Sequence, residues 1–93
     1  MTSSARVGTR DAHGLANRMA NHFGHKVRVE REEDEVRISL PTGAASLRVE
    51  DAVLTLAARA DDAAALARVE EVVASHLVRF ARGEPIEVSW RRD

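Results

Sequence analysis

Histidines and cationic side chains near two predicted helix ends are the residues in this sequence best suited to chemistry. His22, His25 and Lys26 fall within five consecutive positions, and His76 precedes Arg79 in a later segment of similar character. Imidazole nitrogens bind transition metals at about 2.0–2.1 Å, and three of them leave a fourth position open. If the two segments meet, they predict a binding site formed by His22, His25, Lys26, His76 and Arg79, with the three histidines as metal ligands.

The same residues allow three interpretations. In the first, the histidines ligate a transition-metal ion, or one of them is the axial ligand of a haem. In the second, Lys26, Arg79 and Arg82 join a histidine to hold a carboxylate or phosphate. In the third, each histidine only satisfies a helix end, because the helix dipole and nearby backbone carbonyls stabilise imidazole groups there. The spacing of His22 and His25 lacks both the i, i+4 interval and the glutamate of the zinc-protease motif.

Catalytic chemistry finds little support in the sequence. The absence of cysteine excludes thiolate catalysis, disulfides and thiolate-bound zinc or iron–sulfur clusters. The sequence contains neither a glycine-rich phosphate loop nor a nucleophile elbow. An acidic run from Glu32 to Glu35 falls at the tip of a predicted hairpin, where solvated carboxylates are the simpler interpretation. We therefore predict no catalytic residue and favour a binding protein over an enzyme.

Length, charge and composition limit the remaining classes of function. The 93 residues are expected to form one domain, residues 1–93. A net charge of −1 and an aromatic content of 3% argue against nucleic acid and anionic membrane as partners. No apolar run reaches transmembrane length, and the first residues lack the pattern of a secretory signal. We expect a soluble, cytoplasmic protein.

The first predicted helix leads into the histidine-rich stretch. Apolar residues recur at helical spacing over about residues 11–23, and Thr9 or Asp11 is placed to cap the start of this helix. Gly24 follows the end of the helix, and we expect it to adopt the left-handed backbone conformation that commonly ends a helix. His22 is thus predicted in the last helical turn.

The second predicted helix carries His76. It opens at Asp61 and Asp62, which suit a helix N-terminus, and it ends before Gly83 and a following proline. Its apolar stripe consists of Leu66, Val69, Val73, Leu77 and Phe80. His76 lies on the shoulder of this stripe, so it can approach the end of the first helix if the two helices pack side by side.

Alternating apolar and polar residues predict the strands. We expect them at residues 5–7, 26–30, 35–40, 45–50, 53–58 and 86–90, with loose residues 1–4 before a short edge strand. Short connections between the middle strands imply an antiparallel meander. Because one face of each strand is polar, the sequence predicts an α+β two-layer sandwich. Its antiparallel sheet carries two helices on one face, in the order (β)-α-β-β-β-β-α-β.

Three segments resemble a bacterial family of domains of unknown function. They are His22-Phe23-Gly24-His25-Lys26, the second helix from Asp61 to Ala81, and Glu84-Pro85 through Trp90. Members of this family are about this length, and the domain also occurs joined to siderophore-interacting proteins, which are flavin-dependent ferric-siderophore reductases. The chain departs from the family pattern at Leu15 and Arg82, where aromatic residues are usual. The resemblance implies a small α+β domain with a loose link to iron or siderophore handling, and no catalytic residue.

Two function hypotheses follow from the sequence. In the first, the chain is a small binding module in which the histidine-rich corner takes a metal, a haem or an anionic iron carrier. In the alternative, it is a structural or protein-interaction domain in which the histidines only satisfy helix ends. Its partner would then be a siderophore-interacting flavin reductase or a second copy of the chain. The oligomeric state stays open.

Overall fold

The computed structural model describes residues 1–93. The elements are β1 (Thr2–Gly8), α1 (Ala12–Phe23), β2 (Val29–Arg31), β3 (Glu35–Leu40), β4 (Gly43–Glu50), β5 (Val53–Arg59), α2 (Ala63–Phe80) and β6 (Arg91–Arg92). The six strands form one antiparallel sheet in the order β2-β3-β4-β5-β1-β6. The predicted α+β class and the predicted order of elements are confirmed.

The core lies between the sheet and the two helices. It is a cluster of 20 buried residues contributed by both helices and by the inward side of the strands. The largest fully buried side chains are Leu15, Met19, Ile38, Leu47, Leu54, Leu56, Leu66 and Leu77. Seven alanines complete the cluster and allow the helices to approach the sheet closely. Burial of this apolar surface is the main term that stabilises the two-layer arrangement.

Aspartate side chains start both helices. The side chain of Asp11 accepts a hydrogen bond from the Gly14 backbone N–H at 3.0 Å, and Asp62 accepts one from Ala65 at 2.8 Å. Each bond satisfies a backbone donor that has no partner inside the helix. The predicted starts are therefore confirmed, with Asp11 rather than Thr9 as the cap of α1. Neither helix is long and apolar enough to cross a membrane.

The two helices end differently. At the end of α2, Arg82 and Gly83 adopt left-handed backbone conformations with φ of 55° and 86°, which confirms the predicted stop. At the end of α1, the expectation of a left-handed Gly24 is wrong, because its φ is −61°. The backbone N–H groups of Lys26 and Val27 both donate to the Phe23 carbonyl oxygen. Those two N–H groups are therefore unavailable to a strand ladder, so β2 begins at residue 29 instead of residue 26.

The first strand is longer and more central than the sequence suggested. All seven residues from Thr2 to Gly8 pair with β5, and β6 pairs with the other edge of β1. The prediction of a short edge strand over residues 5–7 with loose residues before it is therefore wrong. Ser3 explains the error, because it occupies an inward position and is only 2% exposed although its side chain is polar.

The segment after α2 also differs from its prediction. Ile86, Val88 and Trp90 pack against the core, which confirms the inward side of the alternating pattern. The backbone from residue 86 to 90 nevertheless joins no ladder, and pairing with β1 starts only at Arg91. The expected strand over 86–90 is thus wrong, since alternation reports which side chains face a core and not whether a neighbouring strand is present.

The two helices run in opposite directions across the sheet. The Arg18 Nε–H donates to the Phe80 carbonyl oxygen at 3.0 Å, whereas His22, one turn later in α1, contacts His76, one turn earlier in α2. This packing places the last turn of α1 against the last two turns of α2. It is the feature that assembles the candidate site.

Candidate functional site

His22 and His76 come together where the two helices pack. Their ring centroids are 5.0 Å apart, and their ring planes are inclined at 46°. Both residues are half-buried. The convergence of the two segments, on which the sequence-based site depended, is therefore present for this pair.

The two imidazoles differ in their hydrogen bonding, because only His76 has a partner within the protein. The Nδ1 atom of His76 lies 2.6 Å from the Val72 carbonyl oxygen, one turn earlier in α2. Because a carbonyl oxygen only accepts, Nδ1 must carry a proton, and in the neutral ring Nε2 then keeps its lone pair. The ring of His22 makes no hydrogen bond with the protein at either nitrogen. The pair thus offers lone pairs to an external group.

Two phenylalanines form the walls of the site. The ring centroid of His22 lies 5.2 Å from that of Phe23 and 5.2 Å from that of Phe80. The ring of His76 lies 4.8 Å from Phe23 and 6.1 Å from Phe80. Arg79 places its guanidinium 5.7 Å from the centroid of Phe80. These contacts restrict the orientations of both imidazoles without using their nitrogens.

The surroundings keep His22 neutral. Burial lowers its pKa, and positive charge on His76 (when protonated), Lys26, Arg79 and His25 (when protonated) lowers the pKa further. A proton on this ring would lose hydration and would also meet like charge. A neutral imidazole is the form that ligates metals, and its cationic neighbours attract anions.

The structure separates the five predicted site residues into a pair in contact and three exposed residues around it. His22 and His76 are in ring contact, while His25, Lys26 and Arg79 are exposed around them and act through their charge. No group of three or more His, Cys, Asp or Glu side chains in the chain is arranged to hold a metal ion. The structure therefore brings together two of the three predicted metal ligands.

Two features of the site were missed at the level of sequence. The Val72 carbonyl that orients His76 could have been anticipated, because residues four apart on a helix are neighbours. Phe80, four residues after His76, was assigned only to the core, although it also covers His22. The ring contact between His22 and Phe80 depends on the antiparallel helix packing, and no local pattern shows it.

Comparison with known proteins places the chain in a family. The model of a family described as an uncharacterized protein conserved in bacteria (DUF2218) matches residues 4–91. The chain belongs to this family. The resemblance seen in the sequence, to a bacterial family of unknown function, is thereby confirmed. No curated protein matches the chain.

A solved structure is similar over nearly the whole chain. It is the NMR structure of PA4090 from Pseudomonas aeruginosa, with 30% sequence identity and a TM-score of 0.82. The match covers 97% of this chain and 94% of the other.

Proposed function

We propose that the protein is a small binding module and that the His22–His76 pair, with Lys26, His25 and Arg79 around it, is its binding site. The observation that carries this proposal is the 5.0 Å separation of two half-buried imidazoles whose nitrogens face no acidic partner. His76 is oriented by a backbone carbonyl, as metal-ligating histidines commonly are.

The ring separation suits one shared metal ion. Two imidazoles that bind one ion at about 2.0–2.1 Å have centroids roughly 4.5–5.2 Å apart for ligand angles between a right angle and a tetrahedral angle. The centroids of His22 and His76 are 5.0 Å apart, within this range. Small rotations of the two rings would direct both free nitrogens toward a common point at the surface.

Two protein ligands leave most of a coordination sphere to be filled. Since no third His, Cys, Asp or Glu completes the group, a ligand that brings its own donor atoms fits better than a bare ion. A haem or a metal already held by an anionic carrier has this property. Lys26 and Arg79 would attract the negative charge of such a carrier, and the family resemblance to domains joined to siderophore-interacting proteins favours iron as the metal.

Calorimetric titration tests the proposal. Zinc sulfate, ferric haem and a ferric hydroxamate chelate are titrated separately into the wild-type protein and the His22→Ala/His76→Ala variant. His13→Ala is the matched control, because His13 is an exposed histidine on α1 whose only salt bridge is to Asp34 at 3.7 Å. We expect one-to-one binding of at least one probe, weakened about tenfold or more in the double variant and unchanged in the control.

Two outcomes would contradict the proposal. If no probe binds the wild-type protein, the corner has no affinity for metals or their complexes. If a probe binds equally well to the double variant, its site lies elsewhere. Circular dichroism of each variant shows whether the fold has been kept, so that loss of binding is not confused with unfolding.

A second candidate is a protein-interaction domain in which the histidines are structural. It is favoured by the hydrogen bond from His76 to Val72 and by the packing of His22 against both phenylalanines. The partner would be a siderophore-interacting flavin reductase. In that case the double variant keeps its association with the purified reductase in analytical ultracentrifugation, and none of the three probes binds the wild-type protein.

A further inference from the structure

The face of the sheet that points away from the helices contains a cavity of about 400 Å³. Ala44 and Ala57 form its floor, and the hydroxyl-bearing residues Ser4, Ser39 and Ser46 line it. Ser46, Ala57 and Ser4 are direct neighbours across strands β4, β5 and β1. Small side chains on three adjacent strands therefore create the concavity, and its volume lies in the range of small-molecule sites.

Arg59 is the cationic side chain of this cavity that forms no salt bridge. It lines the cavity and is exposed, and its guanidinium forms neither a salt bridge nor a hydrogen bond within the protein. Two carboxylates also line the cavity, and only Glu30 has a cationic partner. Asp93 accepts a hydrogen bond from the Thr2 hydroxyl at 2.6 Å, and Glu30 lies 3.9 Å from Arg37. Arg37 is itself neutralised by three glutamates.

Further arginines that form no salt bridge lie on the same face of the sheet. Arg91 is the cross-strand neighbour of Ser4. Arg48 and Arg6 flank Thr55, one on each side, so they lie two strands apart at about 10 Å between backbones. None of the three forms a salt bridge within 4.0 Å. Carboxylates are interspersed with these arginines, since Glu50 accepts a hydrogen bond from Thr55 and Glu35 is the cross-strand neighbour of Arg48.

We propose that this open face binds a small ligand that carries a carboxylate or phosphate group, with Arg59 as the residue that holds the oxyanion. A guanidinium pairs with either group through two parallel hydrogen bonds, and the serine hydroxyls supply further donors. The site has no aromatic side chain on which a base could stack, so the anionic group is the recognised feature. The cavity lies on the opposite side of the sheet from the His22–His76 pair, and the two sites are independent.

Titration followed by amide NMR tests this proposal at low ionic strength, because salt screens exposed charges. Sodium pyrophosphate and trisodium citrate are the two probes, one for each oxyanion. We expect at least one probe to shift the backbone amides of Ser46, Ala57 and Arg59. Arg59→Gln should weaken binding about tenfold or more, as the loss of a charge-assisted hydrogen bond predicts. The control is Arg68→Gln, which removes the same charge from an exposed position on α2.

A second variant changes the shape of the cavity without changing its charge. Ala57→Leu fills the floor of the cavity at an exposed strand position, so we expect it to remain folded and to weaken binding of the preferred probe. Comparison of the amide shifts caused by pyrophosphate with those caused by citrate identifies whether phosphate or carboxylate is preferred. The proposal is overturned if neither probe shifts these amides at 10 mM (roughly the weakest useful affinity). It is also overturned if Arg59→Gln and Arg68→Gln weaken binding equally, since that would indicate unspecific charge attraction.

Discussion

Truncation of Met19 to alanine is expected to loosen the turn of α1 that carries His22. Met19 is 0% exposed and belongs to the main core cluster. It lies three residues before His22 and four before Phe23, on the same side of α1. Met19 is therefore a core residue.

The size of the effect follows from the complete burial of this side chain. Replacing a buried methionine by alanine removes its transfer free energy and leaves a cavity, at a cost of about 2–5 kcal/mol. For a chain of this length each kcal/mol lowers the melting temperature by about 4–8 °C. We therefore expect Met19→Ala to melt at least about 10 °C below the wild-type protein.

Met19→Leu is the matched control, because a swap of similar volume usually costs less than about 1.5 kcal/mol. Thermal denaturation followed by circular dichroism measures both variants at pH 7. If Met19→Leu is destabilised as much as Met19→Ala, the thioether itself has a role that this account does not include. If Met19→Ala melts within about 2 °C of the wild type, α1 is not packed as described.

Three further predictions concern protonation and close backbone packing. Because the pKa of His22 is lowered, the unfolded chain binds this proton more readily. The free energy of unfolding in urea should therefore fall as the pH drops below 6.5, and it should fall less for His22→Asn. A hydrogen bond from Arg92 lowers the pKa of Glu70 although burial opposes this, so Glu70→Gln should be less stable than wild type at pH 7. The difference in free energy of unfolding between Glu70→Gln and wild type should vanish as the pH falls well below 4.5. A difference that stays constant with pH would exclude the pairing of Glu70 with Arg92. Gly43→Ala should cost about 1–3 kcal/mol, because a Cβ there would lie 2.1 Å from a backbone oxygen, whereas Gly8→Ala, with open space, should melt as wild type.

Much of the fold could be predicted because its signals are local. Alternation identified the meander from β3 to β5, and the aspartates before each helix identified where the helices begin. The errors arose where a tertiary contact overrides a local signal. Ser3 is a polar residue buried on the inner face of β1, and Trp90 belongs to an alternating segment that has no pairing partner.

The candidate site was predictable only in part. The sequence identified His22 and His76, and the antiparallel helices bring their rings together. It could not separate these two from His25, because the turn after Phe23 determines which side chains point back toward α2. The tautomer of His76 depends on a backbone contact, and the wall formed by Phe80 depends on helix packing. Such distances between elements are set by the whole core.

Direct observation of the imidazole nitrogens tests the central claim most sharply. Long-range ¹⁵N NMR of the histidine rings, recorded during titration with zinc held by a small anionic chelator, is interpretable without variants. Our account predicts that Nδ1 of His76 is protonated before titration, and that Nε2 of His76 and one ring nitrogen of His22 then shift together with one equivalent of metal. His13 serves as the internal reference and should not shift. If His22 and His76 do not respond together, or respond no more than His13, the pair is not a binding site.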